Sequence, residues 1–210
     1  MSSAYNIVVF ISGTGSNLAS IIDKQQQYNY TVSLVISNKK NANGLDFAKQ
    51  QNIPTFTFNW DKHDRKLLHV QNIIKQHDCQ LIVLAGFMKI LPEPFVTVFN
   101  QKIINIHPSL LPKYPGLSTH QRVIDNGDKT HGASVHYVNT QLDAGKIISQ
   151  SHINIDKNDD AESLARLLLF REHSLLPYTI GLICQNRVRW QDNELYFDNK
   201  ILTTPIIIYD

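Results

Sequence analysis

Residues 5–18 read Tyr5-Asn6-Ile7-Val8-Val9-Phe10-Ile11-Ser12-Gly13-Thr14-Gly15-Ser16-Asn17-Leu18. Tyr5 to Ile11 is a short run rich in β-branched residues, the composition of a buried strand. It stops at a cluster of Ser, Thr and Gly, after which Leu18, Ile21 and Ile22 repeat at helical spacing. The reading is strand, turn, helix. Gly13 and Gly15 let the backbone bend and come close to a ligand, and the helix behind them offers N–H groups and the positive end of its dipole. Ser16 and Asn17 add side-chain donors. Such a turn suits a phosphate; the bland alternative is a tight turn that holds nothing. It is not a P-loop, because no Gly-Lys-Ser/Thr follows. Nor does it complete the dinucleotide fingerprint. Leu18 stands where the third glycine belongs, and the second strand ends in Ser37-Asn38-Lys39-Lys40, with no acidic residue for a ribose diol.

The same alternation continues outward. Thr31 to Ile36, Thr55 to Phe58 and Leu81 to Ala85 read as strands, with helical periodicity at Leu45 to Ala48 and Leu67 to Ile74 between them. Strands alternating with helices imply βαβ crossovers, so the expected fold is α/β: a Rossmann-like open sheet, mostly parallel, with helices on both faces. The second half is less regular. Lys102 to Ile106 is a strand ending at His107-Pro108, and Pro92, Pro94, Pro108, Pro112 and Pro115 exclude long helices around it. Ala133 to Val138 and Ile147 to Ile155 are strands joined through Asp143-Ala144-Gly145. Asp159-x-x-Glu162 resembles a helix cap, opening a helix with Leu164, Leu167, Leu168 and Leu175 that Pro177 should end or kink. Val188 to Trp190, Leu195 to Phe197 and Ile201-Leu202 form a small antiparallel C-terminal meander. One domain over residues 1–210 is the simplest account, with a βαβ half to about residue 100.

Composition narrows the class. The 210 residues are 42% hydrophobic and 18% charged, which excludes a disordered chain. A net charge of +2 is too balanced for bulk binding of nucleic acid. Cys79 and Cys184 make neither a disulfide framework nor a zinc cluster, and fit a reducing, cytoplasmic setting. No apolar run reaches the ~18 residues of a membrane span, and no signal peptide is read.

Two further features carry chemistry. Asn105 and His107 are two apart on a strand, so they project on the same side, at the C-terminal end where open sheets bind ligands. An amide can stabilise an oxyanion, and an imidazole can move protons at neutral pH. Asp143, in a loop between two strands, could reach the same place and fix the imidazole tautomer. Each taken alone reads equally well as an ordinary turn or strand-end residue. Among the nine His residues, His120, His131 and His136 lack the spacing of a helical zinc pair, so no metal is expected.

Taken together, these segments resemble the phosphoribosylglycinamide formyltransferase family. The resemblance is carried by Ile11 to Leu18, by Leu84-Ala85-Gly86-Phe87-Met88-Lys89-Ile90-Leu91, by Asn105 to Gly116, by His131-Gly132 to His136, and by Leu142-Asp143-x-Gly145. It spans nearly the whole chain. It implies transfer of a formyl group from 10-formyltetrahydrofolate, a co-substrate, to the amine of 5-phosphoribosylglycinamide, in de novo purine synthesis and without a metal. It implies Asn105, His107 and Asp143 as the catalytic trio, with Asn105 and Asp143 also touching the folate. It places the ribonucleotide against Gly13, Thr14, Gly15, Ser16, Asn17, Gly86, Pro108 and Glu172. It places the folate against Arg65, Phe87, Met88, Lys89, Ile90 and Leu91. Lys89 stands where the family often has Arg, and Leu169 replaces a polar residue.

The implied partners are small molecules, not nucleic acid or membrane, acting on a cytoplasmic monomer or weak homodimer. A methionyl-tRNA formyltransferase would need a further C-terminal domain, and a 10-formyltetrahydrofolate hydrolase an N-terminal one. Length therefore favours the ribonucleotide reaction. The hydrolase, and a non-catalytic sugar-phosphate binder, are the alternatives.

Overall fold

The computed structural model describes residues 5–59 and 64–209; in the helix that starts at Asp64, the side chains of residues 64–66 fall outside that description. It divides into two compact units, residues 1–105 and 106–210.

In the first unit, β1 (Tyr5–Ile11), β2 (Tyr30–Ser37), β3 (Thr55–Thr57), β4 (Leu81–Leu84) and the start of β5 (Ile103–His107) lie in the order β3-β2-β1-β4-β5. Every pairing among them is parallel. Helices α1 (Ser16–Tyr28), α2 (Gly44–Gln50), α3 (Asp64–Gln76) and α4 (Glu93–Val98) connect the strands. β1 lies inside the sheet, which is why its residues Ile7 to Ile11 are apolar without alternation and fully buried. The chain winds from β1 outward to β3 and then returns to β4 on the other side of β1. The strand order therefore reverses between β1 and β4, and the loops after these two strands diverge at that point, where an open α/β sheet has its ligand crevice.

In the second unit, β6 (Thr130–Tyr137) pairs antiparallel with β7 (Ile147–Asn154), and β11 (Ile206–Ile207) adds parallel to β7. Helix α5 (Thr119–Asp125) precedes β6, and α6 (Ala161–Cys184) packs on β6 and β7. β8 (Val188–Gln191), β9 (Glu194–Phe197) and β10 (Lys200–Ile201) form a separate antiparallel sheet. The mostly parallel Rossmann-like sheet and the small antiparallel C-terminal part are thus as expected. β11 is an additional strand that its two-residue length hid from any periodicity.

Two local expectations need correction. Helix α6 does not end at Pro177 but continues to Cys184. Proline removes one helical hydrogen bond, but Leu175, Leu176, Pro177 and Ile180 are all buried, so packing outweighs the local defect. The helix cap also sits one residue later than Asp159. The Asp160 carboxylate accepts from the Ser163 N–H at 2.7 Å, and the Ser163 hydroxyl accepts from the Asp160 N–H at 3.0 Å, a reciprocal capping box. Asp159 supports it by accepting from the Ser163 hydroxyl at 2.7 Å. Replacing Asp160 with Ala should destabilise the protein, read as a lower urea midpoint with an unchanged slope.

Candidate active site

The glycine-rich turn is shaped by a close approach of backbones. Gly15, the N-cap of α1, has φ +79°, and a Cβ there would run into the backbone of Gly44. The Gly44 N–H donates to the Gly13 carbonyl at 3.1 Å, which locks the turn against the start of α2. The first turn of α1 has no acidic residue and Gly15 has no side chain, so neither caps the helix. The first four N–H groups of a helix have no intrahelical acceptor, and here they accompany the dipole's positive end. Neighbouring Ser12 is buried; its hydroxyl donates to Asn38 Oδ1 at 2.6 Å and accepts from the Met88 N–H at 2.8 Å. That second bond joins the loops after β1 and β4 on the two sides of the strand-order reversal.

The loop after β4 begins at Gly86, with φ +71°. Phe87 and Leu91 are buried, and Phe87 packs edge-on against Phe10 at 5.3 Å. Met88 and Ile90 are exposed. The loop is therefore anchored at both ends and shows an apolar middle. Lys89 is exposed beside them. Arg65 belongs to α3, but its side chain lies outside the described residues.

The second unit holds a cluster around His107. Asp143 Oδ2 lies 3.4 Å from His107 Nδ1, with the two side chains 9% and 7% exposed. The other ring nitrogen, Nε2, is 2.9 Å from the carbonyl of Tyr114. A carbonyl only accepts, so Nε2 carries a proton and Nδ1 faces the carboxylate. Asp143 also accepts from the Gly116 N–H at 2.8 Å, and holds a left-handed φ of +49° to do so. Gly145 allows this: a Cβ there would strike the carbonyl of Tyr137. Asn105, half-buried, is two residues before His107 on β5 and shares its side of the strand. Pro108 follows directly, and Glu172 is half-buried on α6.

Three further histidines surround this pair. His136 donates from Nδ1 to the Tyr137 carbonyl at 2.9 Å, and its Nε2 stands 3.7 Å from Asp143 Oδ1, too far for a hydrogen bond. Burial pushes its pKa down, against the opposing pull of that backbone bond and of Asp143. His120 Nδ1 is 2.9 Å from His131 Nε2, so the two rings share one proton. His131 is driven down to about 4, chiefly by burial and then by His120.

The structure thus brings His107 and Asp143 together, with Asn105 two residues along the same strand. It also adds Tyr114, Gly116 and His136, which sequence reasoning assigned no role. Nothing in the linear pattern distinguishes a backbone carbonyl at Tyr114 from any other, and His136 drew only a metal reading.

The formyl transferase family matches residues 5–180. The Escherichia coli phosphoribosylglycinamide formyltransferase is 40% identical over 205 residues, covering 94% of this chain and 95% of that one. A solved phosphoribosylglycinamide formyltransferase from Coxiella burnetii is 38% identical with a TM-score of 0.91, covering 97% of this chain and all of that one. A solved formyltetrahydrofolate deformylase from Pseudomonas syringae is 26% identical with a TM-score of 0.86, covering 93% of this chain and 66% of that one.

The histidine cluster has a consequence for stability. Unfolded, His131 takes up a proton near its ordinary 6.5, whereas folded it resists until about 4. The unfolded state therefore binds more protons between these values, so stability is full above pH 6.5 and falls as pH is lowered towards 4. His120 and His136 shift in the same direction and add to the loss. Urea midpoints measured across this window should fall, and fall less steeply in His131→Gln.

Proposed function

The chain belongs to the formyl transferase family, and we propose that it moves the formyl group of 10-formyltetrahydrofolate to the amine of 5-phosphoribosylglycinamide, a step of de novo purine synthesis. The observation that carries this reading is the buried pair made by Asp143 with His107, which lies on the strand that also bears Asn105. The relatives that match end to end are named for this reaction.

The neutral amine attacks the formyl carbon, and the carbonyl electrons move to oxygen. The Asn105 amide donates to the resulting oxyanion, and His107, its Nε2–H held by the Tyr114 carbonyl, serves it from the Nδ1 side that it shares with Asp143. Asp143 holds the ring's Nδ1 side and orients a water that carries the proton from the amine to N10. A bond forms between the amine nitrogen and the formyl carbon, and the bond from that carbon to N10 breaks. The amine loses one proton and N10 gains one, so the step balances. The donor is already an activated formamide, so the scheme asks for no metal. Holding two substrates in line supplies much of the remaining acceleration.

The turn Gly13-Thr14-Gly15-Ser16-Asn17 takes the ribonucleotide's phosphate through backbone N–H groups at the helix start. Gly86, Pro108 and Glu172 complete its binding. Phe87, Met88, Lys89, Ile90 and Leu91 receive the pterin, largely through their backbone, and Arg65 meets the folate's glutamate end. Residues 1–210 act as a single formyltransferase domain, a cytoplasmic monomer or weak homodimer whose partners are small molecules. Among the described residues, no helix is long and apolar enough to cross a membrane.

Water could replace the amine as the acceptor, and the similarity to a deformylase makes that reading worth separating. The absorbance of deformylated folate, followed with and without 5-phosphoribosylglycinamide, does so. Turnover should require the amine; turnover that ignores it would mean hydrolysis. Asn105→Ala should lower kcat by roughly 10²–10³-fold. Asp143→Asn should keep the fold and folate binding but lose most turnover, and near-normal turnover would remove its assigned role.

A further inference from the structure

The segment Lys113 to Gly116 holds both members of the His107–Asp143 pair. Its Tyr114 carbonyl receives His107 Nε2–H, and its Gly116 N–H donates to Asp143. Tyr114 adopts φ +56°, a left-handed conformation that is strained for a non-glycine residue. Some other contact must therefore hold it there. The Tyr114 phenol donates to Asp128 Oδ2 at 3.0 Å and accepts from the Asn126 amide at 2.7 Å. Asp128 is held in turn by Lys113 at 3.0 Å. The Arg122 guanidinium lies over the Tyr114 ring, 5.2 Å from its centre, and donates to the Pro115 carbonyl at 2.6 Å.

We propose that Tyr114 and Asp128 are positioning residues for the reaction proposed above. The phenol, anchored on Asp128, presents the Tyr114 carbonyl to His107 Nε2 and so aims Nδ1 at Asp143. The argument is one of geometry. An imidazole with one nitrogen tied to a fixed acceptor loses its freedom to rotate or flip, and its other nitrogen then points in one direction. The anchor reaches the ring only through the backbone, so its loss should loosen the ring without removing any substrate contact. Asp128 is suited to the task because its Oδ2 takes the hydrogen bonds of both Lys113 and Tyr114, which fixes the carboxylate beside the phenol.

The test compares Tyr114→Phe, which keeps the ring under Arg122 but removes the hydroxyl, with Asp128→Ala and Asp128→Asn, the last keeping an acceptor oxygen. Tyr114→Phe and Asp128→Ala should lower kcat by about 10- to 100-fold, since small misplacements of a reacting group cost that much. KM for both substrates should stay within about two-fold, as expected when only the transition state is affected. Asp128→Asn should recover most of the rate. Independently of turnover, ¹⁵N–¹H spectra of the His107 ring should show a slowly exchanging Nε2 proton in the wild type and a fast-exchanging one in Tyr114→Phe and Asp128→Ala. Unchanged kcat, a loss confined to KM, or an unchanged ring spectrum in these variants would overturn the proposal. If Tyr114→Phe does not fold, the Asp128 pair carries the comparison. If the wild type itself transfers no formyl group, the reading of the reaction fails while the ring spectrum still decides the positioning.

Discussion

A carboxylate withdrawn from water must be compensated by partners, and in this protein that demand falls on Asp143. Its side chain is 9% exposed beside an imidazole that is itself 7% exposed. Stripping the water from such a group costs several kcal/mol unless charge or hydrogen bonds replace it. His107 and the Gly116 N–H provide that replacement. Much of the second unit follows from the need to bring these three groups together. The loop between β6 and β7 turns through a left-handed residue to deliver the carboxylate, and the 113–116 segment comes back to meet it.

The ground beneath that segment is a buried polar network with its valences filled. The Ser134 hydroxyl donates to the Ser109 carbonyl at 2.6 Å and accepts from the Leu111 N–H at 3.0 Å and the Gln150 amide at 2.9 Å. Gln150 also donates to the Leu111 carbonyl at 2.9 Å. Ser134 and Gln150 are on paired strands, opposite each other in the ladder. The strands thus reach out through side chains to secure residues 109–111, next to the strand that bears His107. A satisfied network of this kind rigidifies, whereas a half-satisfied one would destabilise.

The first unit solves a different problem with backbone rather than side chains. Its turn forms because Gly15 and Gly44 are close enough that neither tolerates a Cβ. Anion recognition by such a turn relies on helix N–H groups and not on surface charge, which agrees with the near-neutral net charge of +2. The bond from the Met88 N–H to Ser12 then ties this turn to the loop after β4. The crevice edge is therefore built from two loops that sequence places 76 residues apart.

The alternation of apolar strands with helical periods, and the glycines at the first turn, were enough to specify a parallel α/β sheet. These are local signals: a buried central strand has to be apolar on both faces, and a left-handed turn position calls for glycine. Asn105 and His107 were legible as a pair because strand geometry alone puts residues two apart on one side. The meeting of His107 with Asp143 was not legible from period or spacing, since 35 residues of chain intervene and only the folded loops set that distance. The same holds for Pro177, whose helix survives because distant burial outweighs a local penalty, and for Tyr114, whose role lies in a backbone carbonyl that every residue possesses. Local sequence determined which elements form and where the chain can bend. Tertiary packing decided which carbonyl, carboxylate and ring share one buried place, because that choice depends on contacts between residues far apart in the chain.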